Sequence, residues 1–321
     1  MVDSFPIFPA PTGVERGSSR KVTLGLIQTA FEESKEGKDS RDSNLSHVTP
    51  AIEEAASSGA EVVVVGELFL QGPGNVRWSS FYSTRLDGTD DHVAELERLS
   101  RENGITLLMG ATTFSPDGFD VYNSALVFTP EAGLTGVYHK SHMASFPYLR
   151  GVTREAAHYS PGSNLDPIAT PRGRIGVHIC YDIFFPEVAR TQSLLGADYL
   201  INLAAAAESF EGYWEHLMWS RAAENGSWYA MTSVVGTGDR SYIGGSRIVA
   251  PDGTVVARAK DSSEEILIET LDLDLSMAMR SQVHMFAVRN PALYEPISRP
   301  KALGQDPIAG VRRAYNGVVS N

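Results

Sequence analysis

One cysteine in 321 residues excludes an intrachain disulfide framework and any zinc or iron-sulfur site built from several thiolates. Positive charge is also scarce. Lys and Arg total 27 against 39 Asp and Glu, a net charge of -12, which repels a phosphate backbone and removes nucleic acid from the expected partners. No run approaches the roughly 18 to 20 apolar residues that a membrane span needs, and the amino-terminal stretch lacks the basic start and apolar segment of a secretory signal. These absences predict a soluble, cytoplasmic protein with no membrane partner. What is present is enough for a large core: 42% of the residues are hydrophobic and only 21% charged, too apolar a balance for disorder.

Apolar runs of strand type alternate with helical patterns along the chain. Residues 1 to 20, rich in Pro, Gly and Ser, read as a flexible arm before the strand Lys21-Val-Thr-Leu-Gly-Leu-Ile-Gln28. A helical pattern ends near Ser58-Gly59, and Glu61-Val-Val-Val-Val-Gly66 suits a strand buried on both faces. A helix over about 90 to 103, a strand over about 105 to 112 and a hairpin over 122 to 138 follow. Further strands are predicted at 174 to 180, 198 to 203 and 227 to 234, with one helix opening at Pro186 and another over 212 to 225. The pair 243 to 250 and 254 to 259, joined through Pro-Asp-Gly, completes the expected core.

This order argues for an α/β fold with a mixed sheet, carried by one domain over residues 21 to 298. Ser141 to Pro171 is long for a structureless loop and reads as a pocket wall. The tail, 299 to 321, sets Arg299, Lys301, Arg312 and Arg313 against Asp306. It is either a solvated terminus or an arm that docks on an acidic partner subunit.

Three residues stand at the ends of predicted core strands. Cys180 lies in Arg174-Ile-Gly-Val-His-Ile-Cys-Tyr-Asp-Ile-Phe-Phe-Pro-Glu187, where a strand gives way to a helix. Ligands and reactive groups collect at such carboxyl ends, and a nearby helix dipole is expected to lend the thiol thiolate character. A lone strand cysteine is more often an inert buried thiol, so the neighbours decide. Glu67, in Gly66-Glu-Leu-Phe-Leu-Gln-Gly72, follows the valine run, where desolvation suits a carboxylate to act as a base. Lys140 ends the hairpin strand in Gly136-Val-Tyr-His-Lys-Ser-His142. Asp182 is expected mainly in local hydrogen bonds, and His139 and His178 as core or loop residues outside any metal set.

With Gly-Glu-Leu-Phe-Leu around Glu67, Tyr-His-Lys around Lys140 and Ile-Cys-Tyr-Asp-Ile-Phe-Phe-Pro-Glu around Cys180, the chain resembles the nitrilase superfamily of carbon-nitrogen hydrolases. The likeness runs from about Lys21 to Leu293 and takes in Arg221-Ala-Ala-Glu-Asn225, Gly244-Gly-Ser-Arg-Ile-Val-Ala-Pro-Asp-Gly253 and Arg289-Asn-Pro-Ala-Leu-Tyr294. It implies a four-layer αββα sandwich with two mixed β-sheets and a homodimer or larger homo-oligomer, with the helix Tyr213 to Asn225 and the tail as candidate contacts. No cofactor and no metal are implied. It also implies a second glutamate, seven residues before the Gly of a Pro-Gly turn; Glu155, in Arg154-Glu-Ala-Ala-His-Tyr-Ser-Pro-Gly162, meets that spacing. The implied roles are Cys180 as nucleophile, Glu67 as acid and base, Lys140 with the Tyr181 N-H as oxyanion donors, and Glu155 as support for the Lys140 charge. Ala204 and Ala205 are expected beside the oxyanion and substrate.

The triplet Cys180-Tyr-Asp182 is similar to that of amidases and some carbamoyl hydrolases rather than nitrilases. A small-molecule amide is therefore the expected substrate, with N-carbamoyl hydrolysis the nearest alternative. The chain departs from many relatives at Gly66, where they have Pro, and over Asn202-Leu-Ala-Ala-Ala-Ala-Glu208. Trp78, Phe81, Tyr82, Phe146 and Tyr148 are candidate pocket aromatics, with Arg150 and Arg154 in the same loop as the last two. A nitrilase and a catalytically silent binding module remain as rival readings, and a redox role for Cys180 is weakened by the lack of a resolving cysteine.

Overall fold

Period-two alternation in the early strands decides the layering. In the computed structural model, which describes residues 20–144, 155–207, 211–238, 240–260 and 263–298, the chain opens with β1 (Lys21–Gln28), α1 (Arg41–Ser57), β2 (Val62–Val65), α2 (Val76–Phe81) and α3 (Asp91–Asn103). It continues through β3 (Thr106–Phe114), β4 (Val121–Thr129), β5 (Gly133–His139), β6 (Ile168–Thr170), β7 (Gly173–Ile179), α4 (Pro186–Leu194) and β8 (Tyr199–Ala204). Then come α5 (Glu211–Asn225), β9 (Trp228–Ser233), β10 (Val235–Thr237), β11 (Ser241–Ile243), β12 (Arg247–Val249) and β13 (Val255–Arg258). β14 (Glu265–Asp272), α6 (Asp274–Val283) and α7 (Glu295–Ser298) close it. Residues 1–19 of the arm, the tail, Phe146, Tyr148, Arg150 and Arg154 lie outside the described residues.

Two six-stranded sheets form, in the orders β14-β1-β2-β3-β4-β5 and β13-β12-β9-β8-β7-β6. Each is mixed: β1, β2 and β3 pair in parallel, as do β7, β8 and β9, while the outer strands pair antiparallel. Leu24, Leu26, Val62, Val64, Leu108 and Val127 point from the first sheet into the same cluster as Ile175, Val177, Ile179, Ile201 and Leu203 of the second. Their strand neighbours Ile27, Val63, Val65, Leu107 and Leu126 point the other way, onto Leu45, Val48 and Ile52 of α1 and Leu96 and Leu99 of α3. On the far side Leu200, Tyr229 and Met231 pack against Trp214, Met218 and Ala222 of α5. The result is the expected four-layer αββα sandwich. All four valines of β2 are completely buried, as a central strand covered on both faces requires.

Two elements differ from the sequence expectation. The core does not end with the Pro-Asp-Gly hairpin, because β14 adds an edge strand along all of β1, from Lys21 opposite Asp272 to Gln28 opposite Glu265. The run 243 to 250 is broken in two by Gly244 and Gly245, which take φ of 69° and 75°. Its first part joins the small β10-β11 ribbon and its second becomes β12. Among the described residues no helix is long and apolar enough to cross a membrane.

Candidate active site

Glu67 stands two residues beyond β2 and Lys140 one residue beyond β5, so the first sheet brings them to one end. Lys140 Nζ donates to Glu67 Oε1 at 2.7 Å and to Glu155 Oε1 at 2.9 Å, and all three residues are buried. Burial opposes the Lys140 charge, but Glu155 and Glu67 on either side outweigh it and hold the ammonium well above the ordinary lysine range. Burial raises Glu155, against the pull of the Lys140 cation. Its Oε2 also accepts the Ala144 N-H at 2.6 Å, which ties the short helical turn Glu155–Ala157 to the chain after Lys140.

Cys180 comes from the second sheet, directly after β7. It takes φ of 45°, and Leu68, the residue after Glu67, takes 51°; only His284 shares this left-handed region among the described non-glycine residues. Such conformations cost of order 1 to 3 kcal/mol each and collect at functional sites. Asn202 at the end of β8 holds the strained turn, accepting the Cys180 N-H at 2.7 Å through Oδ1 and donating from Nδ2 to the Cys180 carbonyl at 3.4 Å. Arg221 of α5 donates to the Ile183 carbonyl at 2.9 Å from the other side.

Burial, and after it the Glu67 carboxylate, pushes the Cys180 thiol well above its usual range. The expected help from a helix dipole does not prevail. The tight turn Cys180–Phe184 separates the sulfur from the start of α4, and the nearest charges include two carboxylates. This surrounding favours the thiol over the thiolate, so a base close to the sulfur is what the site calls for.

A cavity of about 60 Å3 opens at this end of the sandwich, reaching Glu67, Glu155, Cys180, Tyr181 and Ala205. Its outer wall holds Leu68, Pro73, Ala144, Phe184 and Ala207, with Trp214, Arg240 and Tyr242. The stretch expected as a pocket wall contributes Ala144 and Glu155, and ends in β6.

Ala205 donates its N-H to Glu67 Oε2 at 2.9 Å. Ala204 does not line the cavity. It is fully buried as the last residue of β8, and its carbonyl accepts the N-H groups of Glu67 at 3.4 Å and Val234 at 3.3 Å. Trp78, Phe81 and Tyr82 also stay out, packing edge to face on one another at 5.6 and 5.0 Å, with Phe81 largely exposed. The cavity aromatics come instead from the nucleophile turn, α5 and β11, elements that meet only in the folded chain.

Asp182 does more than cap its own loop. It accepts the local Ile179 N-H at 3.1 Å, but also Tyr138 OH at 2.8 Å, Ser141 Oγ at 2.9 Å and the His142 N-H at 2.9 Å, so it fastens both flanks of Lys140 to the cysteine turn. Burial opposes its charge, yet the His142 ring at 3.0 Å, the Lys140 cation and then the Tyr138 hydroxyl and Ile179 N-H hold it below the usual carboxylate range. His178 pairs through Nδ1 with Tyr229 OH at 2.9 Å and His139 with Ser124 Oγ at 2.7 Å, both away from the cavity. Among the described residues no group of three or more His, Cys, Asp or Glu could hold a metal ion. Asn123 and Asn202 were not singled out by sequence; the available signal was an amide side chain inside an apolar strand, where Asn is depleted.

The sequence profile of the carbon-nitrogen hydrolase family matches residues 24–281. The chain is 30% identical over 258 residues to the omega-amidase NIT2 of Xenopus tropicalis, covering 79% of this chain and 92% of that protein. It is 29% identical over 272 residues to the deaminated glutathione amidase of Mus musculus, covering 81% and 82%. The crystal structure of Saccharomyces cerevisiae Nit3, a member of branch 10 of the nitrilase superfamily, superposes with a TM-score of 0.75 at 25% identity, over 85% of this chain and 97% of that one. By sequence, fold and the motifs that meet at this site, the chain belongs to the carbon-nitrogen hydrolase family, in the amidase-like part of the nitrilase superfamily.

Proposed function

We propose that the protein is an amidase that hydrolyses a small carboxamide through a thioester on Cys180 and releases ammonia. The observation that carries this reading is the Cys180 thiol on a strained turn, lining the same small cavity as Glu67 and Glu155, the two carboxylates that hold the buried Lys140 ammonium behind it. Glu67 accepts the thiol proton as the sulfur attacks the carbonyl carbon. An ammonium has three N-H donors and the two carboxylates take two from Lys140. The third, with the Tyr181 backbone N-H, holds the oxyanion. As the carbon-nitrogen bond breaks, Glu67 returns its proton to the leaving nitrogen, then activates the water that cleaves the thioester. Glu155 transfers no proton; its charge keeps Lys140 cationic.

The relatives named as amidases support an amide rather than a nitrile. The narrow cavity, with Phe184, Trp214 and Tyr242 on its wall, suits a small acyl group, and Arg240 leaves room for one that carries a negative charge. The test is a panel of amides, nitriles and N-carbamoyl compounds followed by ammonia release, run beside Cys180→Ala. An amide cleaved by the wild type and untouched by the variant is the expected result. Carbon dioxide appearing with ammonia would instead identify a carbamoyl hydrolase, and ammonia release by Cys180→Ala would overturn the nucleophile assignment. The proposal includes a homodimer or larger homo-oligomer, supported by the exposed apolar side chains of Val288, Leu293 and Ile297.

A further inference from the structure

Among the described residues, a neutral side chain joins Lys140 on the Glu67 carboxylate. Asn123, in β4 and fully buried, donates from Nδ2 to Glu67 Oε1 at 2.8 Å, and its backbone carbonyl accepts the Lys140 N-H at 2.8 Å. Lys140 Nζ donates to the same Oε1 at 2.7 Å. Oε1 therefore faces two donors, one of them charged. Oε2 accepts the Ala205 N-H at 2.9 Å, and Ala205 lines the same cavity as Cys180. A carboxylate oxygen with two N-H donors has its lone pairs engaged, whereas Oε2 keeps one free at a cavity that Glu67 and Cys180 both line. The Asn123 Oδ1 is buried with no hydrogen-bond partner among the described residues. Its side chain is thus held in the core by what it donates to Glu67, at the expense of its own acceptor.

We infer that Asn123 is a positioning residue that reserves Glu67 Oε2 for proton transfer. The inference rests on the reading of Glu67 as the base. In the first step the Sγ-H bond breaks, an Oε2-H bond forms and the sulfur pair attacks the carbonyl carbon. When the carbon-nitrogen bond breaks, the same proton passes from Oε2 to the leaving nitrogen. Without the Asn123 donor, Oε1 competes for the proton, and the ionised carboxylate loses a group that favours it.

The experiment compares wild type, Asn123→Ala and the isosteric Asn123→Asp by three readouts: kcat/KM against pH, the rate of Cys180 alkylation by iodoacetamide against pH without substrate, and thermal melting. Asn123→Ala is expected to lose about 10- to 100-fold in kcat/KM at its optimum. Its acid limb moves to higher pH, because the base needs a higher pH to stay ionised once the donor is gone. The alkylation profile moves the same way, and Asn123→Asp, with a second negative charge beside Oε1, moves both further. Lost activity with unmoved profiles would mean that Asn123 only packs the site, and activity within about twofold of wild type would also overturn the inference. If Asn123→Ala does not fold, Asn123→Asp decides by the same shift; if neither folds, the residue is structural and the inference falls. Failure of the amidase reading shows separately, as no ammonia from any amide, and the substrate-free alkylation profiles then still decide the role of Asn123.

Discussion

Lys140 concentrates the opposing energies of the site in a single side chain. Its burial is tolerable only because Glu67 and Glu155 flank it, so Lys140→Ala leaves two buried carboxylates facing each other. Breaking a buried ion pair from one side costs about 3 to 5 kcal/mol, and losing an oxyanion donor costs about 2.7 to 4 kcal/mol of transition-state stabilisation. The expected variant is less stable in chemical denaturation and roughly a hundredfold to a thousandfold slower in kcat. Cys180→Ala is different. The Asn202 contacts reach the backbone of residue 180, so this variant is expected to lose all ammonia release and keep its melting temperature.

His178 supplies a pH test that is independent of catalysis. Burial lowers its imidazole to about 4, below the roughly 6.5 of an unfolded chain. The unfolded state binds the extra proton between those values, so stability is present above 6.5 and falls as pH drops toward 4, by up to about 3 kcal/mol. His178→Gln is expected to flatten denaturation midpoints across that window, and an unchanged slope would assign the acid sensitivity elsewhere. Glu67, Lys140 and Cys180 were legible in sequence because each follows an apolar strand, and Glu155 only through the spacing that the family resemblance implied. Asn123 was not, because an amide shows its use only through the carboxylate it faces.

Strand packing sets how closely Glu67 is held, and one glycine makes the approach possible. A Cβ at Gly110 of β3 would lie 2.1 Å from the Gly66 carbonyl oxygen and 2.8 Å from the Glu67 Cα, both backbone atoms just beyond β2. Overpacking of this kind costs about 1 to 3 kcal/mol. Gly110→Ala is expected to lower both stability and kcat, and full activity would show that Glu67 tolerates displacement. Gly66 answers to the same constraint, since a Cβ there would meet Val234 Cγ1 at 2.8 Å. β2, the hairpin and the cysteine strand could be read from apolar runs. β14 could not, since Glu265-Ile-Leu-Ile-Glu-Thr-Leu-Asp272 is only half buried and needs β1 as its template. The loop aromatics Trp78, Phe81 and Tyr82 misled for a related reason: composition marks them as useful but cannot say which cluster they join.

For the whole molecule, four layers bury both faces of two sheets and leave the reactive ends of β2, β5, β7 and β8 at one edge. Val288, Leu293 and Ile297 remain 74%, 71% and 63% exposed, the apolar side chains that the proposed subunit contact would cover. Sedimentation of the wild type is expected to give a dimer or larger, and Leu293→Lys with Ile297→Lys to shift it toward monomer; a monomeric wild type would remove the oligomer from the proposal. The sequence by itself determined the α/β alternation and the family motifs, and it put forward Glu67, Lys140 and Cys180 from strand ends and Glu155 from the family spacing, because strand periodicity and motif spacing are local properties of the chain. Only the tertiary structure decided that burial disfavours the Cys180 thiolate, that Asn123 and Ala205 divide the oxygens of Glu67, and that Phe184, Trp214, Arg240 and Tyr242 line the cavity. Desolvation, hydrogen-bond direction and cavity shape depend on groups distant in sequence, and they take values only when two sheets and α5 close on the same few ångströms of space.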